Sequence, residues 1–321
     1  MKFNSARFSS IIFAICVLVL MAGAVATGYA QSNTWSSGAP MPTPRFGSAF
    51  GVIKGSVYVV SGATSSAVVS NNEIYNPKTN KWTTRAPIPT ARFVSASAVV
   101  NNILYVIGGS SNGSDALTVV EAYDPSSNTW STKASMPQAT NSMYAVAAKN
   151  IIYVVGGYVP GQNRVATLYS YNPATDSWKQ EASMKVGKSN PATGYLGGVI
   201  AAGGLGDSGD VTDNESYATA SNKWKTLAAI PTARAASCFG TIKGAFYVAS
   251  GAGDGNGNTP VSVQESYNPA TKSWTTLASI PQAVIAPASA VVSNKLYCFG
   301  GSNSGILFQG VPVAKLQIYQ P

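Results

Sequence analysis

Four cations recur ten residues after a tryptophan. Arg45 follows Trp35, Arg92 follows Trp82, Lys188 follows Trp178 and Arg234 follows Trp224. Thr140 and Val284 hold the same place after Trp130 and Trp274. If these positions converge, four positive side chains would favour a carboxylate or another acidic ligand, which arginine can grip with two parallel hydrogen bonds. The same recurrence has an architectural reading, in which the cation ties neighbouring repeats together through backbone carbonyls. Tyr158, Arg164, Leu307 and Phe308 are further candidate contacts, because an exposed aromatic can stack on a sugar or grip a peptide. Isolated apolar residues of this kind also pack locally.

Oxygen-bearing side chains give a second candidate. Asp254, Asn256, Asn258 and Glu265 follow a calcium-loop pattern, with Thr259 standing where the sharp turn needs glycine. Glu265 belongs equally to a recurring Glu-x-Tyr signal seen at Glu73, Glu121 and Glu215, and a Gly/Asn-rich turn accounts for the stretch as well. Asp207, Asp210 and Asp213 form another acidic loop with the same two readings. No cofactor is implied.

The chain has no histidine. That removes Ser-His-Asp and Cys-His nucleophilic chemistry, imidazole acid–base catalysis and every histidine-bearing metal site. Of three cysteines, Cys16 lies in an N-terminal leader, and Cys238 and Cys298 cannot complete a four-cysteine zinc site. They read as buried small hydrophobes, with a disulfide between neighbouring repeats as the alternative.

Charged residues make up 10% of the 321, against a usual ~25%. The net charge of +9 is scattered, with no basic run, so a nucleic-acid partner is not expected. Lys54, Lys149, Lys243, Lys78, Lys81, Lys223 and Lys272 fall in predicted turns, either as a basic face or as solvated turn residues. Residues 1–30 read as a secretory signal peptide: Lys2 and Arg7, an apolar stretch from Ile11 to Met21, and a small-x-small site at Gly28-Tyr29-Ala30. The apolar run is short for a membrane span, and none follows. A secreted or periplasmic protein is expected, with no transmembrane segment after processing, and a monomer.

What positions the candidates is a repeat covering residues 31–321. Trp35, Trp82, Trp130, Trp178, Trp224 and Trp274 are spaced 47, 48, 48, 46 and 50 residues apart. Between them recur Met/Ile-Pro-x-x-Arg, an apolar run closing on two small residues (Tyr105-Val106-Ile107-Gly108-Gly109), and Glu-x-Tyr-Asn/Asp-Pro (Glu73-Ile74-Tyr75-Asn76-Pro77). Asn101-Asn102, Lys149-Asn150 and Lys54-Gly55 have the character of hairpin turns. These motifs predict four strands per repeat: a small-residue inner strand a, the Gly-Gly strand b, the Glu-x-Tyr strand c and the Trp strand d.

The double glycine, tyrosine and tryptophan at this period resemble a Kelch-repeat β-propeller. The chain stops after a strand c, at Leu316 to Pro321, and the missing strand d stands at the other end, around Trp35. An all-β, six-bladed propeller of four-stranded antiparallel blades is therefore expected, with the N-terminal strand completing the last blade. Only the b-to-c segment varies in length, so the face shared by d-to-a and b-to-c connections is the expected binding face. The fourth repeat departs furthest, with Lys185 for proline, Ala201 for tyrosine and Ala218-Thr219 for Asn-Pro, which reads as drift.

With short loops and no added domain, the expected function is a non-enzymatic module binding an unknown protein or an anionic glycan. The alternative is an acidic-sugar epimerase or mutarotase with a cationic channel mouth, on a distant resemblance to the periplasmic Kelch sialic-acid epimerases. Galactose-oxidase-type copper chemistry and the iron-dependent specifier proteins both need histidine ligands and are excluded.

Overall fold

The computed structural model describes residue 1, residues 33–305 and residues 310–321. The predicted leader therefore lies outside the described residues, as do Leu307 and Phe308.

Six four-stranded antiparallel sheets form the ring. Blade 1 runs Ala49–Ile53, Ser56–Val60, Asn72–Asn76 and Lys81–Arg85. Blade 2 runs from Ala96–Val100 to Thr129–Lys133, blade 3 from Tyr144–Ala148 to Ser177–Gln180, and blade 4 from Ala192–Tyr195 to Lys223–Thr226. Blade 5 runs from Cys238–Ile242 to Ser273–Leu277. Blade 6 takes Ala288–Val292, Lys295–Phe299 and Leu316–Gln320 from the C-terminal end and its outer strand, Thr34–Gly38, from the N-terminal end. Trp35 pairs with Tyr319 in that closing sheet.

The repeat motifs are what hold blade to blade. Each tryptophan indole donates to an alanine carbonyl of the preceding blade, as from Trp82 to Ala39 at 3.0 Å and from Trp178 to Ala134 at 2.8 Å. The second glycine of each Gly-Gly pair donates its amide to the next blade, as from Gly157 to the Lys188 carbonyl at 2.9 Å and from Gly301 to that of Arg45 at 3.0 Å. Glycine is required there: Gly157 has a φ of 119°, and a Cβ on it would lie 2.8 Å from the Asn141 carbonyl oxygen. The hairpin turns keep their predicted character, Asn101 and Asn102 both adopting positive φ.

One residue per blade, three ahead of the second residue of each strand a, closes a further circle. Gly47 donates to Ala286, Ala286 to Ala236, Ala236 to Asn190, Asn190 to Ser142, Ser142 to Val94 and Val94 back to Gly47, all at 2.7–3.0 Å. All six have positive φ. This backbone ring draws the chain together around the axis. Below it, Phe50, Tyr144 and Phe239 from blades 1, 3 and 5 meet, Tyr144 and Phe239 edge to face at 4.9 Å and Phe50 at 6.2 Å from each. Residues of alternate blades touch only across the axis, so these rings fill the channel. What remains is a cavity of about 320 Å³ lined by inner-strand residues including Val52, Thr193, Tyr195, Thr241 and Val291.

Two expectations are corrected here. Cys238 and Cys298 are not free hydrophobes but a disulfide, with Cα atoms 5.8 Å apart, joining strand a of blade 5 to strand b of blade 6. In blade 4 the tyrosine position is held by Ile200, which pairs with Gly194, and not by Ala201. The reason is a tighter a-to-b turn, closed by Leu196 N–H to the Gly198 carbonyl at 2.9 Å, which is one residue shorter than its counterparts.

Candidate functional site

The four recurring cations do not form a mouth. Arg45, Arg92, Lys188 and Arg234 have no exposed side chain, and each faces the strand-c glutamate of its own blade. Arg45 Nη1 lies 2.5 Å from Glu73 and its Nη2 donates to the Val59 carbonyl at 2.8 Å. Arg92 repeats this with Glu121 and the Val106 carbonyl, and Arg234 with Glu265 (2.6 Å) and the Val248 carbonyl. Lys188 lies 3.7 Å from Glu215 and donates to the Ala201 and Asp213 carbonyls. Burial pushes the Arg45 and Lys188 cations toward deprotonation, and the facing carboxylates oppose it. The sequence carried a signal for this pairing. Where the cation is absent, at Thr140 and Val284, the glutamate is absent too, replaced by Tyr169 and Gln317.

The calcium candidate dissolves for the same reason. Glu265 is committed to Arg234, while Asp254 accepts the Asn256 and Asn258 amides at 3.1 Å and the Thr259 hydroxyl at 2.9 Å, stabilising its own turn. Among the described residues no group of three or more Cys, Asp or Glu side chains is placed to hold a metal ion.

Titratable groups do converge elsewhere on the b-to-c face. The b-to-c segments of blades 3 and 4 each fold into an extra hairpin, Tyr158–Val159 with Asn163–Arg164, and Leu205–Gly206 with Gly209–Asp210. Gly209, at φ 123°, makes the second turn. Between the hairpins lies a groove of about 450 Å³ lined by Arg164, Lys185, Gly187, Asp207, Asp210 and Val211 among others. Gly187 lets the first hairpin come this close, because a Cβ there would lie 2.4 Å from the Arg164 carbonyl oxygen.

The groove is electrostatically asymmetric. Arg164 Nη1 is 3.5 Å from Asp207, a partly exposed pair, and the Arg164 amide donates to the same oxygen at 3.2 Å. Lys185 is exposed, its Nζ donating to the Thr226 hydroxyl at 2.8 Å. Asp210 takes the Gly255 amide at 2.7 Å through Oδ2, whereas its buried Oδ1 has no partner. Burial pushes the Asp210 carboxyl up, the Gly255 hydrogen bond opposes this, the Asp254 charge adds to it and Arg164 opposes it. A carboxyl raised in this way beside two cations can hold and release a proton next to a bound anion.

Of the predicted contacts, Arg164 lines this groove. Tyr158 is on the same hairpin, paired with Arg164, but does not line it. In the sequence Asp210 stands out only as part of an ambiguous acidic loop and Lys185 only as a departure from the repeat, with no signal that brings them together with Arg164.

A family model describing the Attractin/LZTR1 β-propeller matches residues 27–216, more than half of the chain. The chain belongs to the Attractin/LZTR1 β-propeller family. This corrects the resemblance to Kelch repeats: the double glycine, tyrosine and tryptophan on which it rested are blade-joining residues, set by packing between sheets. No curated protein sequence matches this family member. Among solved structures it is similar to YjhT, at 18% identity and a TM-score of 0.75, with 88% of this chain and 97% of that one covered. At that identity the likeness is one of fold. It counts against the expected non-enzymatic binding module, and the sugar-acting alternative is taken up below as a proposal. Among the described residues no helix is long and apolar enough to cross a membrane.

Proposed function

We propose that this propeller acts catalytically on an acidic sugar, as an epimerase or mutarotase, in the groove between the b-to-c hairpins of blades 3 and 4. The observation that carries the reading is the meeting of Arg164 and Lys185 with Asp210, a half-buried carboxyl with a raised pKa and one unpartnered oxygen. The likeness to YjhT supports it.

In this mechanism Arg164 and Lys185 hold the substrate carboxylate, and Asp210 serves as the proton-exchanging group. Protonated Asp210 passes its proton to the ring oxygen while water takes the proton of the anomeric hydroxyl. The bond between the anomeric carbon and the ring oxygen then breaks, and the sugar opens. Closure on the other face reverses both transfers, so atoms and charge balance without a redox step. The reading differs from a cationic channel mouth in its location, since the axial cations are spent on Glu73, Glu121, Glu215 and Glu265.

We further propose export to an oxidising compartment, which the N-terminal leader and the Cys238–Cys298 disulfide support.

The test is anomer exchange followed by proton NMR, with N-acetylneuraminate and a uronic acid as substrates and a neutral hexose as control. Acceleration of the acidic sugars, lost in Asp210→Asn, is the expected result. Exchange no faster than in buffer for every acidic sugar overturns the reading.

A further inference from the structure

Five seams between blades share one polar joint. The tyrosine of strand c donates its hydroxyl to the side-chain oxygen of the residue just before strand d: Tyr75 to Asn80, Tyr123 to Asn128, Tyr171 to Asp176, Tyr217 to Asn222 and Tyr319 to Asn33, at 2.6–3.0 Å. The same oxygen accepts a backbone amide from the preceding blade, from Ala39, Ala86, Ala134, Ala182 and Ala278 respectively, at 2.7–3.1 Å. One acceptor thus satisfies two donors from two blades.

The sixth seam, between blades 4 and 5, has the donors and lacks the acceptor. Lys272 stands at the turn position, with the same positive φ (56°) that Asn80 and Asn128 adopt. Lysine has no acceptor to offer. Neither the Tyr267 hydroxyl nor the Ala228 amide has a hydrogen-bond partner among the described residues, although Trp274 still donates to the Ala228 carbonyl at 2.9 Å. Tyr267 is only 2% exposed, so its unpartnered hydroxyl is held in place by packing. Ala228 is exposed, whereas its five counterparts are half-buried.

These donors open onto a pocket of about 280 Å³ lined by Tyr267, Ala228, Lys272, Lys225, Leu196 and Ile200, with Leu227 and Pro269 beside them. The space follows from blade 4's short a-to-b turn, which sets Ile200 where neighbouring blades carry a tyrosine to pack on the next strand c, as Tyr153 does on Tyr217. The pocket shares no lining residue with the Asp210 groove.

We infer that the seam between blades 4 and 5 is a binding site for a small carboxylate with an apolar body, whose oxygen takes the place of the side-chain acceptor present in the other five seams. One carboxylate oxygen accepts from Tyr267 and Ala228, Lys272 and Lys225 balance the charge, and Leu196, Ile200 and Leu227 cover the apolar part. Charge-assisted hydrogen bonds from oriented donors are the strong kind. An uncharged amide of the same shape forfeits the ion pairing and leaves the two lysines uncompensated.

The test uses the whole protein labelled with 15N-alanine, titrated with benzoate and, separately, with benzamide. Benzoate is expected to move the Ala228 amide resonance saturably, and benzamide to bind at least about tenfold more weakly. Lys272→Asn restores the acceptor of the other seams. It should fold, raise Tm, and weaken benzoate binding by about tenfold or more because its own oxygen fills the joint. Tyr267→Phe should weaken binding without the rise in Tm. No saturable shift in the unaltered protein, equal binding of benzamide, or benzoate binding unchanged in Lys272→Asn would each overturn the inference. Sugar exchange in the groove is read separately, so either proposal can fail alone.

Discussion

Asp210 receives the Gly255 amide at 2.7 Å on one carboxylate oxygen and keeps the other buried without a partner. The half-satisfied carboxyl spans blades 4 and 5 while facing the groove between blades 3 and 4. A fully bonded carboxylate would be held in its charged form and be a poor proton donor; half satisfaction keeps both protonation states within reach.

Asp210→Asn should therefore lower turnover of acidic sugars by roughly 10²–10⁴-fold, the usual contribution of a positioned acid or base. Its effect on stability should have the opposite sign. A carboxyl raised by folding binds more protons in the native state, so its contribution falls as pH climbs from the ordinary carboxyl value of 3.8 to the higher native value. At neutral pH the asparagine variant should melt higher than the unaltered protein, and the gap should close in acid. Paired melting curves across pH check this, and a gap that widens in acid would contradict it.

The axial cations should behave as structure. Arg234→Ala strands Glu265 in the interior, and breaking a buried pair by removing one partner costs about 3–5 kcal/mol. KM for an acidic sugar should not change. Arg164→Met should do the reverse, raising KM with little loss of stability, because its ion pair with Asp207 is partly exposed. Denaturant curves and steady-state kinetics on the two variants separate the roles.

Gly187→Ala places a Cβ against the Arg164 carbonyl, 2.4 Å away in the unrelaxed chain. The hairpin must shift, and with it the guanidinium. We expect kcat/KM to fall by on the order of 10–100-fold, as displaced positioning groups cause. Kinetics that match the unaltered protein would show that the groove does not bind substrate through Arg164.

Reduction of Cys238–Cys298 should destabilise without abolishing the fold. The bond spans 60 residues of sequence, for which chain entropy suggests about 4 kcal/mol. Melting with and without reductant, and of Cys298→Ala, should show the same loss.

The architecture was open to reading because each blade repeats the same joints. Trp82, Gly109 and Tyr75 recur since every seam needs an indole donor, a space without a Cβ and a tyrosine to pack, and periodic constraints leave periodic residues. Strand order and the closing strand at Trp35 follow from where the period starts and stops. The site obeys no period. Lys185 and Ile200 stand where the fourth repeat departs from its pattern and Asp210 lies in its variable b-to-c segment, and such departures look like drift until the hairpins of blades 3 and 4 are seen side by side. Arg45 misled for the converse reason: its recurrence was informative about packing against Glu73, which only pairing it with the equally recurrent glutamate could reveal.

The pairing of Thr34–Gly38 with Leu316–Gln320 has a temporal consequence. Strands near opposite ends of the polypeptide must find each other before the last blade exists, so a chain still emerging from the ribosome holds an incomplete arc with an uncovered sheet edge. Any product truncated before Leu316 keeps that edge for good. Until these two strands pair, each keeps an open edge on which aggregation or proteolysis can begin.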